Sequence, residues 1–218
     1  MPPNQRRYRM TRRLNRMAET RQRIVQATFE LHGTIGPSRT TIRAIADRAA
    51  VQRHTVYAHF PDLDSLYEAC TTHGMAAMGM PEPGPWHGIT AARDRLRTGL
   101  TDLIAWYRAN ADMLTILLGD GDPGAAPPSS AEPDPFDRRM AALFAALAGP
   151  WPTSEADTTL TLHAVIRHAM TFETWRSLAA GGLTDDRIVE LLVGIVSGVA
   201  DGSLPARPSL AVRGVRPR

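Results

Sequence analysis

One cysteine, Cys70, stands in a chain of 218 residues. That excludes an internal disulfide and a multi-thiolate metal site, and leaves Cys70 as a small buried apolar residue. No apolar run approaches the ~20 residues of a bilayer span, and no apolar stretch follows the basic start as a signal-peptide core would. The expectation is a cytoplasmic chain with no membrane contact. Alternating strand segments and internal repeats are also missing, so the chain reads as all-α. Enzyme signatures are lacking: there is no HExxH, P-loop, Rossmann glycine fingerprint or GxSxG elbow. The pairs His54/His59 and His163/His168 are each five apart, about 140° around a helix, which suits joint metal ligation poorly. These absences point away from an enzyme and from any metal or cofactor. Lysine is missing altogether, and all 25 basic residues are Arg.

What is present is unevenly spread. An apolar content of 43% supports a real core. Residues 1–60 hold 12 Arg against Glu19, Glu30 and Asp47, whereas residues 61–218 hold 13 Arg against 19 acids. The first third therefore suits a polyanionic partner. Within it, residues 1–18 carry six Arg and no acid with little apolar periodicity, which reads as a flexible basic arm.

From Glu19 the pattern turns helical, with Ile24, Ala27, Thr28 and Leu31 on one face, closed by Gly33 and Gly36-Pro37. A short helix after an N-cap at Thr40 follows, carrying Ile42, Ile45, Ala46 and Ala49. Ala50-Val51 makes a turn, a third helix covers Gln52–Phe60 before Pro61, and Asp62 caps a fourth containing Leu66, Tyr67 and Cys70. Helices this short are marginal alone and must pack on one another, which gives a helix-turn-helix inside a three-helix bundle.

On the third helix Val56 and Phe60 share one face, His54 and Ala58 take the opposite one, and Thr55 and Tyr57 flank them. One side is anchored and the other presented. Gln52 and Arg53 occupy the first turn, where a recognition helix meets base edges. Arg pairs bidentately with guanine and Gln with adenine, while a Thr methyl or Ala58 can touch a thymine methyl. Thr55, Tyr57 and His59 also suit phosphate oxygens.

Residues 19–70 resemble the amino-terminal domain of the TetR (tetracycline repressor) family of one-component bacterial regulators. The matching elements are Ile24…Ala27…Leu31, Gly36, Thr40-Thr41-Ile42-Arg43…Ile45-Ala46, Ala49-Ala50-Val51 and Thr55-Val56-Tyr57…His59-Phe60-Pro61…Leu66. The resemblance implies that Thr41 binds phosphate, that Arg43 touches a base, that Arg53, His54, Thr55 and Ala58 face bases, and that Tyr57 and His59 face the backbone. Two departures stand out. Ala50 replaces a customary Gly in the turn, where a left-handed backbone strains any residue with a Cβ. Leu63 stands where a Lys commonly grips phosphate, and Arg residues of the 6–23 stretch are expected to replace that contact through the minor groove or the backbone.

Proline and glycine punctuate residues 80–88 and 119–135, the latter read as a mobile loop. Helical stretches are expected at 89–109, 111–118, 136–148, 154–180 and 185–201. The expected organisation is an arm (1–18), a helix-turn-helix domain (19–65), a larger helical domain (66–204) and a tail (205–218). Similarity to the family implies that this larger domain binds an effector and pairs two copies. The pairing face would include Leu162 and Ile166 on one helix, and Ile188, Leu191, Leu192, Gly194, Ile195, Gly198 and Val199 on the last. An internal core is the other reading of those residues. Ligand-wall candidates are Trp106, Tyr107, Met113, Leu117, Phe144, Phe172 and Trp175, with His163 and Arg167 four apart on the long helix; each of these also fits plain core packing. The expected protein is a homodimeric repressor released from a palindromic operator by a small molecule. An activator or corepressor-dependent regulator, a regulator answering to a protein partner, and an architectural DNA-binding protein are the rival readings.

Overall fold

A computed structural model describes residues 3–119, 133–151 and 156–204, with side chains from residue 8 onward. Residues 120–132 of the expected loop at 119–135 and the tail at 205–218 lie outside the described residues. Among the described residues every regular element is helical. The α-helices are α1 (Pro3–Ile35), α2 (Ile42–Arg48), α3 (Arg53–His59), α4 (Leu63–Ala77), α5 (Ala92–Ala109), α6 (Ala111–Gly119), α7 (Pro135–Ala148), α8 (Ala156–Ala169), α9 (Phe172–Ala180) and α10 (Asp185–Ala200), with a 3-10 turn at Gly84–Gly88.

The basic arm departs from expectation, because α1 is continuous from Pro3. Residues 4–32 contain neither Pro nor Gly and are rich in Arg, Gln, Met, Leu and Ala, all good helix formers. Propensity outweighs the missing apolar stripe. At the other end Gly33 is helical, and the chain leaves α1 at Gly36, whose φ is 84°.

The chain divides into two compact units, Met1–Met80 with Arg108–Arg139, and Pro81–Tyr107 with Met140–Arg218. A single cut at residue 65/66 does not reproduce this, since α4 and α6 both pack on α1. The contacts are close: a Cβ on Gly74 would sit 2.9 Å from Phe29 Cε2, and one on Gly33 would sit 2.6 Å from Cε at the flexible end of Met113.

In the first unit Ile24, Val25, Ala27, Ile45, Ala46, Ala49, Val56, Phe60 and Leu66 form one buried cluster. Fully burying a side chain such as Ile45, Val56 or Leu66 is worth ~1.5–3 kcal/mol, which is what holds the seven-residue helices α2 and α3. The N-cap of α2 is Thr41, whose hydroxyl oxygen accepts from the Ala44 N–H at 3.2 Å, while the buried Thr40 hydroxyl donates to the Gly36 carbonyl at 2.8 Å. Asp62 caps α4 as expected, accepting from the Ser65 N–H at 2.7 Å. Ala50 has φ 52°, and among the described residues no other non-glycine residue has a positive φ.

In the second unit α5 buries Leu96, Leu100, Leu103, Ile104, Trp106 and Tyr107. The segment expected as one helix over 154–180 is broken at Met170-Thr171. There the Thr171 hydroxyl oxygen takes the Thr174 N–H to start α9, and the Tyr107 hydroxyl donates to the Met170 carbonyl. A side-chain cap thus competes successfully with helix continuation. Helix α10 packs on α8 and α9.

Candidate nucleic-acid interface

The anchored and presented faces of α3 fall where the sequence places them. Val56 and Phe60 are buried, whereas Gln52, Arg53, His54, Tyr57 and Ala58 are exposed, with Thr55 and His59 half-buried on the flank. Tyr57 keeps 56% of its surface exposed, a large aromatic area on a short polar helix. Arg43 is also exposed, and its link to Asp47 is loose, with Nε to Oδ2 at 3.7 Å and both side chains 74% exposed. Screening by water makes such a pair easy to exchange for another anion. Thr41 uses its oxygen to cap α2, a bond that does not consume the hydroxyl proton. Arg48 is committed elsewhere: its Nε donates to Glu30 Oε2 at 2.7 Å and ties α2 to α1. Leu63 is 46% exposed beside Asp62 and Asp64, so no cation stands at the start of α4.

The helical amino-terminal extension adds a second wall. Arg9, Arg12, Arg13, Arg16, Met17 and Thr20 of α1, with Thr55 and His59 of α3, line a concavity of about 370 Å³. Sequence reading attributed contacts to arginines 6–23 in general and missed this cleft, because a flexible arm defines no wall. The i, i+3, i+4, i+7 spacing of the four Arg was the available signal.

An exposed polar face on a short anchored helix, beside arginines, is what a duplex reader requires. Residues 24–70 match the model of the family described as bacterial regulatory proteins, tetR family. The helix-turn-helix segment is thus similar to the tetR family. Similarity in structure extends further. The chain resembles a TetR transcription regulator from Haloarcula marismortui ATCC 43049 with a TM-score of 0.54 and 22% identity, over 85% of this chain and 98% of that one. It also resembles a TetR-like transcriptional regulator from Rhodococcus sp. RHA1 with a TM-score of 0.50 and 18% identity, over 84% and 96%. These likenesses show a shared fold well beyond the tetR-family segment. None of the curated proteins matches the chain in sequence.

The residues expected to wall an effector pocket are dispersed. Trp106, Tyr107, Phe172 and Trp175 pack against one another as a buried cluster of the second unit, with neighbouring ring centroids 5.3 to 6.1 Å apart. Trp175 Nε1 donates to Asp185 Oδ1 at 3.0 Å. His163 and Arg167 share a partner, since the His163 ring stands edge-on to Phe144 and the Arg167 guanidinium lies 3.9 Å from the Phe144 ring centre. Met113 fills the space opposite Gly33 in the first unit.

Leu117 alone of the candidates lines a cavity of about 300 Å³ in the first unit, among Phe29 and His32 of α1, Tyr67, Cys70 and Gly74 of α4, and Phe136 of α7. His32 is buried, 3.7 Å from the Cys70 sulfur through Nδ1 and edge-on to the Tyr67 ring. Burial pushes the Cys70 thiol up to about 12 and raises the Tyr67 hydroxyl as well. Sequence reading missed this cavity; an isolated Gly inside the α4 pattern, Gly74, was its one visible trace.

Of the residues named for a pairing face, Leu162, Ile166, Ile188, Leu192, Gly198 and Val199 are buried within the single chain. Their periodicity marks the inner stripe of α8 and α10, which the protomer's own core uses. Leu191 and Gly194 are exposed and Ile195 half-buried, and on α8 Leu160, 72% exposed, and Ala164 join them.

Proposed function

We propose that the protein is a homodimeric repressor that reads a palindromic operator through α3 and releases it when a small molecule enters the cavity beside α1 and α4. The observation that carries this reading is the presented face of α3, in which Arg53, His54, Tyr57 and Ala58 stand exposed on a helix fixed from behind by Val56 and Phe60. Arg53 is assigned to a base edge and Tyr57 to phosphate.

The cavity supports the effector role because its volume of about 300 Å³ is at the lower end of ligand pockets. Among the described residues that line it Asp134 is a carboxylate and none is Arg, so a neutral or cationic ligand with an apolar body fits its aromatic and Met side chains. Helices α1 and α4, which form its walls, also supply Ile24, Val25, Ala27 and Leu66 to the core behind α3. Occupation that separates α1 from α4 would disturb that core, which is a route for coupling of the usual ~1–3 kcal/mol. The exposed apolar residues Leu160 and Leu191 support pairing with a second copy.

Selection of bound duplexes from a random pool at two salt concentrations tests the reading. A two-fold symmetric motif with half-sites about 34–36 Å apart is the expected result. Sequence-blind binding at both salts would overturn it.

A further inference from the structure

We propose that the first half of α1 is a rigid helical clamp that, with the flank of α3, grips one phosphodiester strand beside the bases that α3 reads. The inference rests on the DNA-binding reading above.

Arg9, Arg12, Arg13 and Arg16 recur at helical spacing, so their side chains share one face of α1, and they line the same concavity as Thr55 and His59 of α3. Like charges at i, i+3 and i+4 repel one another on a helix, and the chain offers no acid before Glu19 to relieve them. An external anion would supply that relief. The opposite wall consists of a hydroxyl and an imidazole, both able to donate to phosphate oxygens. A recognition helix seated in the major groove has a strand along its flank, and this is the side of α3 on which the arginines stand. The seven helical steps from Arg9 to Arg16 span ~10 Å, the axial length of about three phosphates of one strand. The clamp also accounts for the start of α4, where Leu63 lies between exposed Asp62 and Asp64 and offers phosphate no cation.

Rigidity separates this proposal from a tethered basic tail, because a tail needs only charge. Two variants divide the possibilities. Arg9→Gln/Arg12→Gln/Arg13→Gln/Arg16→Gln removes the charges from exposed positions. Ala18→Pro keeps every Arg but deletes the N–H of residue 18 and sets the proline ring against the Leu14 carbonyl, which breaks α1 well before the buried stretch that begins at Ile24. Ala18→Gln serves as the helix-compatible control. Binding to a fluorescein-labelled mixed-sequence duplex is followed by anisotropy across a salt series, with circular dichroism to check folding.

The slope of log K against log salt should fall by about 2.7 in the quadruple variant, at about 0.9 per phosphate. Ala18→Pro should lose a similar amount, and Ala18→Gln should match the unaltered chain. An unchanged slope in the quadruple variant would overturn the clamp while leaving DNA reading by α3 intact. A loss in the quadruple variant with none in Ala18→Pro would replace the clamp by a flexible arm. If the unaltered chain showed no salt-dependent binding, the clamp and the DNA-binding reading would fail together.

Discussion

Replacing Ala50 by Gly should stabilise the protein, and the size of the effect follows from one backbone angle. Ala50 sits in the turn between α2 and α3 with φ 52°, and its side chain is exposed, so the substitution removes little packing. The turn is held by main-chain bonds that a Gly retains: the Ala50 N–H reaches Asp47 O at 3.3 Å and the Val51 N–H reaches Ala46 O at 3.0 Å. A left-handed residue with a Cβ costs ~1–2 kcal/mol, which Gly relieves. Against this, Gly gives the unfolded chain extra freedom worth ~0.4–1 kcal/mol. The balance is a gain of roughly 0.5–1 kcal/mol. Urea unfolding followed by helical circular dichroism measures it as a higher midpoint with an unchanged slope. A fall in stability of about 0.5 kcal/mol or more would mean that the turn holds no left-handed strain, and the strained backbone assigned to Ala50 would have to be abandoned.

Further outcomes follow from close contacts and from the buried thiol. Gly99→Ala places a Cβ 2.5 Å from Leu147 Cδ2 and 3.3 Å from Trp86 Cε3 in a packed region, and should destabilise by ~1–3 kcal/mol in thermal unfolding. Gly33→Ala meets only the mobile end of Met113, and its gain in helix propensity of ~1 kcal/mol should leave the protein as stable or more so. Cys70, held up to about 12, should resist iodoacetamide in the folded protein at mildly alkaline pH and react once unfolded. Because its folded value is raised, its contribution to stability is complete below the unfolded value of about 8.5 and declines as pH rises toward 12. Cys70→Ala should therefore flatten the alkaline loss of the urea midpoint relative to the unaltered chain, and parallel losses would refute the assignment.

The parts of the fold legible in the sequence are those set by local chemistry. Val56 and Phe60 on one side of α3 and the Asp62 cap follow from residue type and spacing, the strain at Ala50 follows from the resemblance that puts a Gly there, and the structure places each accordingly. Features that depend on competition were harder to read. The polar amino-terminal segment lacks a buried stripe, yet its helix propensity extends α1 to Pro3. The break after Ala169 depends on Thr171 finding the Thr174 N–H and on Tyr107, far away in sequence, taking the Met170 carbonyl. The effector candidates illustrate the same limit. Aromatic residues at helical spacing signal burial, and Trp106, Tyr107, Phe172 and Trp175 are indeed buried, but spacing cannot separate a packed cluster from a cavity wall. The inner stripe of α8 and α10 likewise announces an apolar contact without saying whether it lies within one chain or between two.

The central claim, that α3 reads bases while its flank holds the backbone, is tested most directly by a ratio of affinities. A duplex carrying the selected motif and a scrambled duplex of equal length would be titrated by anisotropy against the unaltered chain, Arg53→Ala and Tyr57→Phe. The unaltered chain should favour the motif by ~10³ or more. Arg53→Ala should lower that ratio by the equivalent of ~1–3 kcal/mol, with the loss traced to one base position, while Tyr57→Phe weakens both duplexes alike. Equal losses on both duplexes for Arg53→Ala, or a ratio near unity for the unaltered chain, would contradict the account.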